Sequence, residues 1–375
     1  MEKRTNFLKE LNMDFFENPP KSLKSKLTAF KFSFAKTPVV LSSPTLLISN
    51  KTCAVDKQLL SSVIVGNYLI LKDSVVRDIY NQKLSKNDYN KLLKNISILK
   101  ENGYSLLVFP EKDYPVFGKV GMISQEIANL LFDTGYDITF LSLINTYFSM
   151  PIWSTTHRRC DTKCVKQNVI AHSRLEDLYQ KEQLELFNKC MPSSATTYAE
   201  KNHLFMRSNQ LAEKIERVVY CCPKCKTFFN VYSEFNCLKC RNCGSAVEFQ
   251  NNGRIDFTKD IYSFDYLDEF MFEQLQNKNY QPSQRIIQYN NIKMLDTSSK
   301  KEVWKNVTFL ILFGELHITA DGKTDKYFLS NIEDLELLPD NTLNISLKKE
   351  KLTFKGENGE CFYFLLHLHK LLQFS

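Results

Sequence analysis

Between residues 37 and 160 the apolar positions follow two rhythms. Short continuous runs, "TPVVLSS", "TLLISN", "YSLLVFP" and "DITFLSLI", predict strands buried in a sheet. Between them the spacing becomes that of a helix face. Tyr89, Leu92, Leu93, Ile96 and Leu99 follow Ser85 and Asp88, a capping-box pair, and Gly103 closes the segment. Val120, Ile123, Ile127, Leu130 and Leu131 predict another helix, ending near Gly135. Strands separated by helices imply an α/β domain with a parallel or mixed sheet. In such sheets functional loops leave the carboxyl ends of the strands, where Asn50, Lys51, Pro110 and Glu111 fall. Residues 161 to 217 read as polar and helical, without an interpretable motif.

From about residue 285 the rhythm changes to short strands: "RIIQYNNIKM", "VTFLILFG", "LHITA", "KYFL", "IEDLELL", "TLNISL" and "KLTFKG". Turn signals such as Asp321-Gly322 and Pro339-Asp340-Asn341 separate several of them. One apolar helix, "ECFYFLLHLHKLLQFS", follows, with His367 and His369 read as partly buried helix residues. This is a small sandwich or barrel closed by a helix, the outline of pleckstrin-homology and GRAM-like modules. A Tyr/Phe/Asp-rich connector, "DIYSFDYLDEFMFEQLQ", precedes it.

Composition narrows the class. A length of 375 residues suits two or three domains, and 43% hydrophobic with 24% charged residues is ordinary for a globular chain. The net charge of +7 is too small to establish a nucleic-acid partner. No apolar run reaches the length of a membrane span and the amino terminus has no signal-peptide core, so the expected place is the cytoplasm. The stretch "KSLKSKLTAFKFSFAK" interleaves Lys21, Lys24, Lys26, Lys31 and Lys36 with leucine and phenylalanine. Such an arm can lie on an anionic membrane, which predicts peripheral association with its inner face; the bland reading is an arm packed on its own domain. His157-Arg158-Arg159 reads as a solvated face.

Six of the 11 cysteines fall between Cys221 and Cys243, the spacing of a metal site in a reducing compartment. Cys222-x-x-Cys225 and Cys240-x-x-Cys243 each place two thiolates on a tight turn, and two such turns form the four-sulfur site of a structural zinc ribbon. Pro223 and Gly244 suit the two turns, although Cys221 and Cys237 are possible substitutes.

Three segments carry a family resemblance: Asn50-Lys51-x4-Asp56, then Phe109-Pro110-Glu111-Lys112, then "ITFLSLINTYFSMPIW", ending at Pro151 and Trp153. In order and spacing they resemble the glycerolipid acyltransferase superfamily, the 1-acyl-sn-glycerol-3-phosphate acyltransferases. That family shows Asn-His-x4-Asp, Phe-Pro-Glu-Gly-Thr-Arg-Ser and a Pro-x-Trp segment. The whole chain, with its ribbon and β-rich tail, looks like a bacterial subgroup of such proteins. The resemblance implies Lys51 and Asp56 at the catalytic positions and Asn50, Phe109, Pro110, Glu111 and Lys112 at the substrate positions. Acyl-CoA or acyl-carrier protein would be the donor and a lysophospholipid hydroxyl the acceptor. The departures fall on the chemistry. The general-base histidine is Lys51, and a lysine is a poor base at neutral pH. The family's Gly-Thr-Arg-Ser reads Lys112-Asp113-Tyr114-Pro115. Lys51 and Asp56 then read as an ion pair in a degenerate centre.

The expected organisation is a basic amphipathic arm over 1–36, an acyltransferase-like α/β domain over 37–200, a zinc ribbon over 218–250 and a PH/GRAM-like β-rich domain over 285–375. The expected function is phospholipid-synthesis acyl transfer if the centre is active. The alternatives are a catalytically inactive lipid-binding scaffold, or a ribbon that binds nucleic acid through Lys224, Lys226, Lys239 and Arg241.

Overall fold

The computed structural model describes residues 7, 11–20, 33–35, 37–192, 194–196, 199, 204–255, 264–277, 285–296, 303–312, 314–348 and 350–373. They divide into two compact units, one of Met1–Ser149 with Arg159–Met206 and one of Met150–Arg158 with Arg207–Ser375.

The first unit is built on strands β1 (Phe16–Glu17), β2 (Ser33–Ala35), β3 (Val39–Val40), β4 (Leu46–Ser49), β5 (Ile64–Val65), β6 (Tyr68–Leu71), β7 (Ser105–Val108), β8 (Ile138–Ile144) and β9 (Asp161–Ile170). Seven of them form a mixed sheet in the order β1-β6-β7-β4-β8-β9-β2, in which β6, β7, β4 and β8 run parallel. These four inner strands are buried along their whole length, which is why they are written as unbroken apolar runs. β3 and β5 pair separately.

The helices are α1 (Asp56–Ser61), α2 (Asp73–Tyr80), α3 (Lys86–Glu101), α4 (Gln125–Asp133), α5 (Thr146–Ser149), α6 (His172–Glu176) and α7 (Gln180–Cys190). The Ser85 hydroxyl accepts the Asp88 N–H at 3.1 Å and caps α3, while the Asp88 carboxylate accepts the Ser85 hydroxyl at 2.7 Å instead of its backbone N–H, so the cap forms without the reciprocal half of the box. Gly103 follows the end of α3 at φ 78°, in the left-handed region. α4 is shorter than its apolar spacing predicts. Its cap is Ser124, so Val120 and Ile123 belong to the preceding loop, where Gly118 and Gly121 interrupt the chain.

One expectation changes. Residues 161–170, read as helical, are the ten-residue strand β9, antiparallel to β8. Most of its side chains are exposed, so it lacks an apolar run that would announce it. In the segment 1–36, Lys21, Lys24, Lys26, Lys31 and Lys36 of the basic arm lie outside the described residues. Of the remainder, Phe16 pairs with Leu71, Ser33–Ala35 runs alongside β9, and Phe7, Leu11, Phe15 and Phe16 join the core beneath the sheet.

The second unit opens with a three-stranded antiparallel ribbon, β10 (Val231–Glu234), β11 (Cys237–Cys240) and β12 (Ala246–Glu248). The aromatic connector contains helix α8 (Phe264–Gln276). The strands that follow are β13 (Arg285–Asp296), β14 (Val303–Leu312), β15 (Glu315–Ala320), β16 (Lys323–Phe328), β17 (Ile332–Leu338), β18 (Thr342–Leu347) and β19 (Lys351–Lys355), before α9 (Tyr363–Gln373). They make one antiparallel sheet ordered β16-β15-β14-β13-β19-β18-β17. β13 joins its two meanders. An irregularity between Tyr289 and Ile292, with Asn291 at φ 60°, lets the strand pair with β14 over its length and with β19 at Lys293 and Met294.

Candidate functional site

β4 and β7 are neighbours in register, Ile48 beside Val108, so the turn after one and the loop after the other emerge together. Asn50 is fixed first. Its Oδ1 accepts the Leu143 N–H at 2.8 Å and its Nδ2 donates to the Leu143 carbonyl at 3.2 Å, tying the turn to β8. Lys51 then donates its backbone N–H to both oxygens of Glu111, at 3.0 and 3.1 Å. Sixty residues apart in sequence, these two positions meet at the carboxyl ends of adjacent parallel strands, as the topology dictates.

The Lys51 side chain is buried and committed elsewhere. Its Nζ donates to the Glu111 carbonyl at 3.1 Å, lies 3.3 Å from Asp73 Oδ1 and sits 5.1 Å from the centre of the Tyr114 ring. Asp73 Oδ2 is held in turn by Lys57 at 2.6 Å, and Lys57 also reaches Glu17 at 2.6 Å. Burial alone would raise the Asp73 pKa; Lys51 and Lys57 more than offset it and leave it below its ordinary value.

The expected Lys51–Asp56 ion pair is absent from this arrangement. Asp56 folds back over its own turn, accepting the backbone N–H groups of Thr52 and Cys53, the latter at 2.9 Å, together with the Thr52 hydroxyl. Thr52 Oγ1 continues the chain to Thr146 Oγ1 at 2.7 Å, and Cys53 Sγ lies 3.2 Å from Asp56 Oδ1. Local donors three and four residues back capture the aspartate, and Asp73 captures the lysine. Sequence spacing around Lys51 could not reveal Asp73. Its one signal is an acid opening the helix that follows a fully apolar strand.

Two buried carboxyls result. Burial pushes Asp56 up to about 6 against the pull of its Thr52 and Cys53 donors, and pushes Glu111 up to about 8 in spite of Lys51. Burial also raises the Cys53 thiol well above its ordinary value, and the neighbouring Asp56 charge adds to the effect, so Cys53 is no thiolate nucleophile at neutral pH.

The other positions that the resemblance singles out, Phe109, Pro110 and Lys112, make contacts within the protein. Phe109 is buried, the Pro110 carbonyl accepts the Tyr80 hydroxyl at 2.9 Å, and the Lys112 carbonyl accepts Arg77 Nη2 at 3.3 Å. Arg77 also pairs with Asp113 at 2.5 Å, so its guanidinium is spent within the protein. A cavity of about 20 Å³ lies beside Asn50 and Lys51 under Val120, Leu143 and Tyr147, room for about one water.

The third segment of the resemblance is divided: its strand β8 stays beside β4 in the first unit, whereas its end at Pro151 and Trp153 does not. Trp153 belongs to the second unit, buried with its ring 6.4 Å from Phe249 and 6.2 Å from Phe264, and Arg158 stacks on it at 4.6 Å. Arg158 is therefore buried, where a solvated face was expected.

The four cysteines preferred from the sequence come together. The Sγ atoms of Cys222, Cys225, Cys240 and Cys243 lie within 4.8 Å of one another, with Cys222–Cys243 at 3.9 Å and Cys225–Cys240 at 3.7 Å. A tetrahedron of zinc–sulfur bonds of about 2.3 Å has edges of about 3.8 Å, so the sulfur spacing fits a tetrahedral four-thiolate ion. The two turns repeat one geometry. Lys226 N–H bonds the Cys222 carbonyl at 2.9 Å and Gly244 N–H bonds the Cys240 carbonyl at 3.0 Å, with both residues left-handed at φ 59° and 66°. Cys221 and Cys237 fall outside the cluster. Four protein sulfurs leave no open position for substrate, which makes such a site structural.

No protein-family model and no curated protein sequence matches the chain. Among solved structures it is similar to the 1-acyl-sn-glycerophosphate acyltransferase PlsC of Thermotoga maritima, with a TM-score of 0.31 and 16% identity, over 42% of this chain and 67% of that one. The likeness is distant and assigns no activity.

Proposed function

We propose that the first unit is an acyltransferase-like domain that keeps the framework of its substrate loops without a working acyl-transfer centre, and serves as a lipid-binding scaffold. The observation that carries this reading is the commitment of Lys51. Attack of a hydroxyl on an acyl thioester needs a base that can take the hydroxyl proton. The cation at the base position is buried against Asp73 and the Glu111 carbonyl, and the oxygens of Asp56 are filled by the donors of its own turn. The chain has no histidine before His157 that could replace it. The cavity described beside the turn has room for about one water.

We also infer that the cysteine cluster holds zinc, and that the seven-stranded sheet with its closing helix is a PH/GRAM-like module. The basic segment 21–36 supports peripheral attachment to an anionic membrane on the cytoplasmic side. Among the described residues no helix is long and apolar enough to cross a membrane.

The test offers the purified full chain acyl-CoA and acyl-carrier-protein donors with lysophosphatidate, and follows product by mass spectrometry. Vesicles with and without anionic lipid run in parallel. The expected outcome is no acylated product above the blank and retention on anionic vesicles only, weakened when Lys21, Lys24, Lys26 and Lys31 are all changed to glutamine. Substitution is preferable to deletion, because Phe16 and Ser33–Ala35 belong to the fold. Turnover by the natural protein that disappears in Asp56→Asn would overturn the scaffold reading.

A further inference from the structure

We propose that the metal knuckle and the last helix of the chain form one coupled element, in which a divalent metal on the four cysteines sets the seat of α9, with Tyr220 and His367 as the joint. This rests on the reading that Cys222, Cys225, Cys240 and Cys243 hold a metal.

The first knuckle is a hairpin whose two ends meet. Cys222 N–H bonds the Thr227 carbonyl at 2.9 Å and Phe229 N–H bonds the Tyr220 carbonyl at 2.7 Å. Tyr220 on the entering side and Phe228 and Phe229 on the leaving side are thereby stacked, with ring centres 5.8 and 6.3 Å from Tyr220. The hairpin is not a relaxed one. Lys226 and Phe229 are both left-handed, at φ 59° and 57°, a conformation that non-glycine residues hold only when their surroundings enforce it. Two thiolates of this hairpin bound to one ion with two from the second turn are such an enforcement.

What the hairpin presents is the floor for α9. Phe364 meets Phe229 at 5.1 Å and Tyr220 at 5.2 Å, both edge-on. The Tyr220 hydroxyl lies 2.8 Å from His367 Nδ1 and 3.0 Å from the Met271 carbonyl of α8. His367 Nε2 is 2.9 Å from Asp268 Oδ1 of α8, and the Tyr363 hydroxyl donates to the same carboxylate at 2.5 Å. The opposite face of α9 meets the β module, where His369 Nε2 lies 2.8 Å from the Ile332 carbonyl at the start of β17. One helix thus seals the seven-stranded module on one side and rests on the knuckle on the other. Because Tyr220 is fully buried, a knuckle that loses its shape cannot keep this joint. The coupling is reciprocal: a weakened joint must in turn weaken metal retention.

Hydrogen exchange of the full chain, zinc-loaded and then stripped by a chelator, reads the coupling directly. Amides of 363–373 are expected to lose at least tenfold protection on stripping, while those of α4 in the first unit keep theirs. Tyr220→Phe and His367→Gln are each expected to give up zinc several-fold more readily to a chromogenic chelator, and Lys91→Ala is the control. Unchanged protection of α9 in stripped protein overturns the proposal, as does unchanged zinc retention in both joint variants. A chain that takes up no zinc overturns the metal reading and the coupling together, whereas zinc uptake without a response in α9 overturns the coupling alone.

Discussion

At the scale of single residues, the first unit turns on two acids that burial has made into weak ones. Glu111 keeps its proton up to about pH 8 in the fold, against an ordinary carboxyl value of about 4.3. A raised folded pKa means that the folded state holds the proton more tightly than the unfolded chain. The stability that Glu111 contributes is therefore full below pH about 4.3 and is lost progressively as pH rises through 8. Asp56, raised to about 6, acts in the same direction over a narrower window, while Asp73, lowered, acts in the opposite direction in acid. Glu111→Gln keeps the shape and has no proton to lose. Unfolding midpoints of the natural chain measured between pH 5 and 8 should fall with pH, and this variant should flatten the slope. An equal slope in the variant would place its source elsewhere. None of this was legible from the sequence, which gives the order of Asn50, Lys51, Asp56 and Glu111 but not which charge turns toward which. Lys51 and Asp56 look like a pair at five residues' separation, and the partner that the lysine finds is 22 positions further on, in α2.

Elements were legible where local chemistry decides them and hidden where tertiary position does. The Ser85 cap, the apolar strands at the sheet centre and the two Cys-x-x-Cys turns each carry their signal within a few residues. β9 does not, because a strand toward the sheet's edge needs few apolar side chains; nor does α8, whose aromatic residues read as a connector. The loop after β7 shows a further kind of hidden constraint. Gly118 is left-handed at φ 77°, and a Cβ there would lie 2.9 Å from the Tyr147 ring and 3.0 Å from Ala195. The Gly118 carbonyl also accepts the Ala195 N–H at 2.8 Å, and the Tyr147 hydroxyl donates to the Val116 carbonyl at 2.9 Å. Gly118→Ala should therefore destabilise the first unit by about 1–3 kcal/mol, combining the strained backbone with overpacking against a buried ring. Chemical denaturation checks this, and a loss below about 0.5 kcal/mol would show that the loop yields at little cost.

At the scale of the whole molecule, the chain does not divide where its composition suggests. An α/β domain over 37–200 is the natural reading of the sequence, yet residues 150–158 lie within that span and belong to the second unit. The excursion is nine residues long, too short to show as a change in texture, and its apolar Ile152 and Trp153 look like a continuation of the strand before them. What identifies its owner is packing. Trp153 is buried among Phe249, Phe264 and the Arg158 guanidinium, all of the second unit, and its carbonyl accepts Arg217 Nη1 at 3.5 Å. A large aromatic deleted from such a place costs about 3–5 kcal/mol. The unit that bears this loss is the distinguishing observation. Trp153→Ala should lower hydrogen-exchange protection in α8 and around Phe249 while leaving α4 and α3 as they were, although Trp153 follows directly on a first-unit helix in the chain. Equal loss in α4 would mean that the tryptophan supports the core nearest to it in sequence, and that the cores of the two units are not separately built.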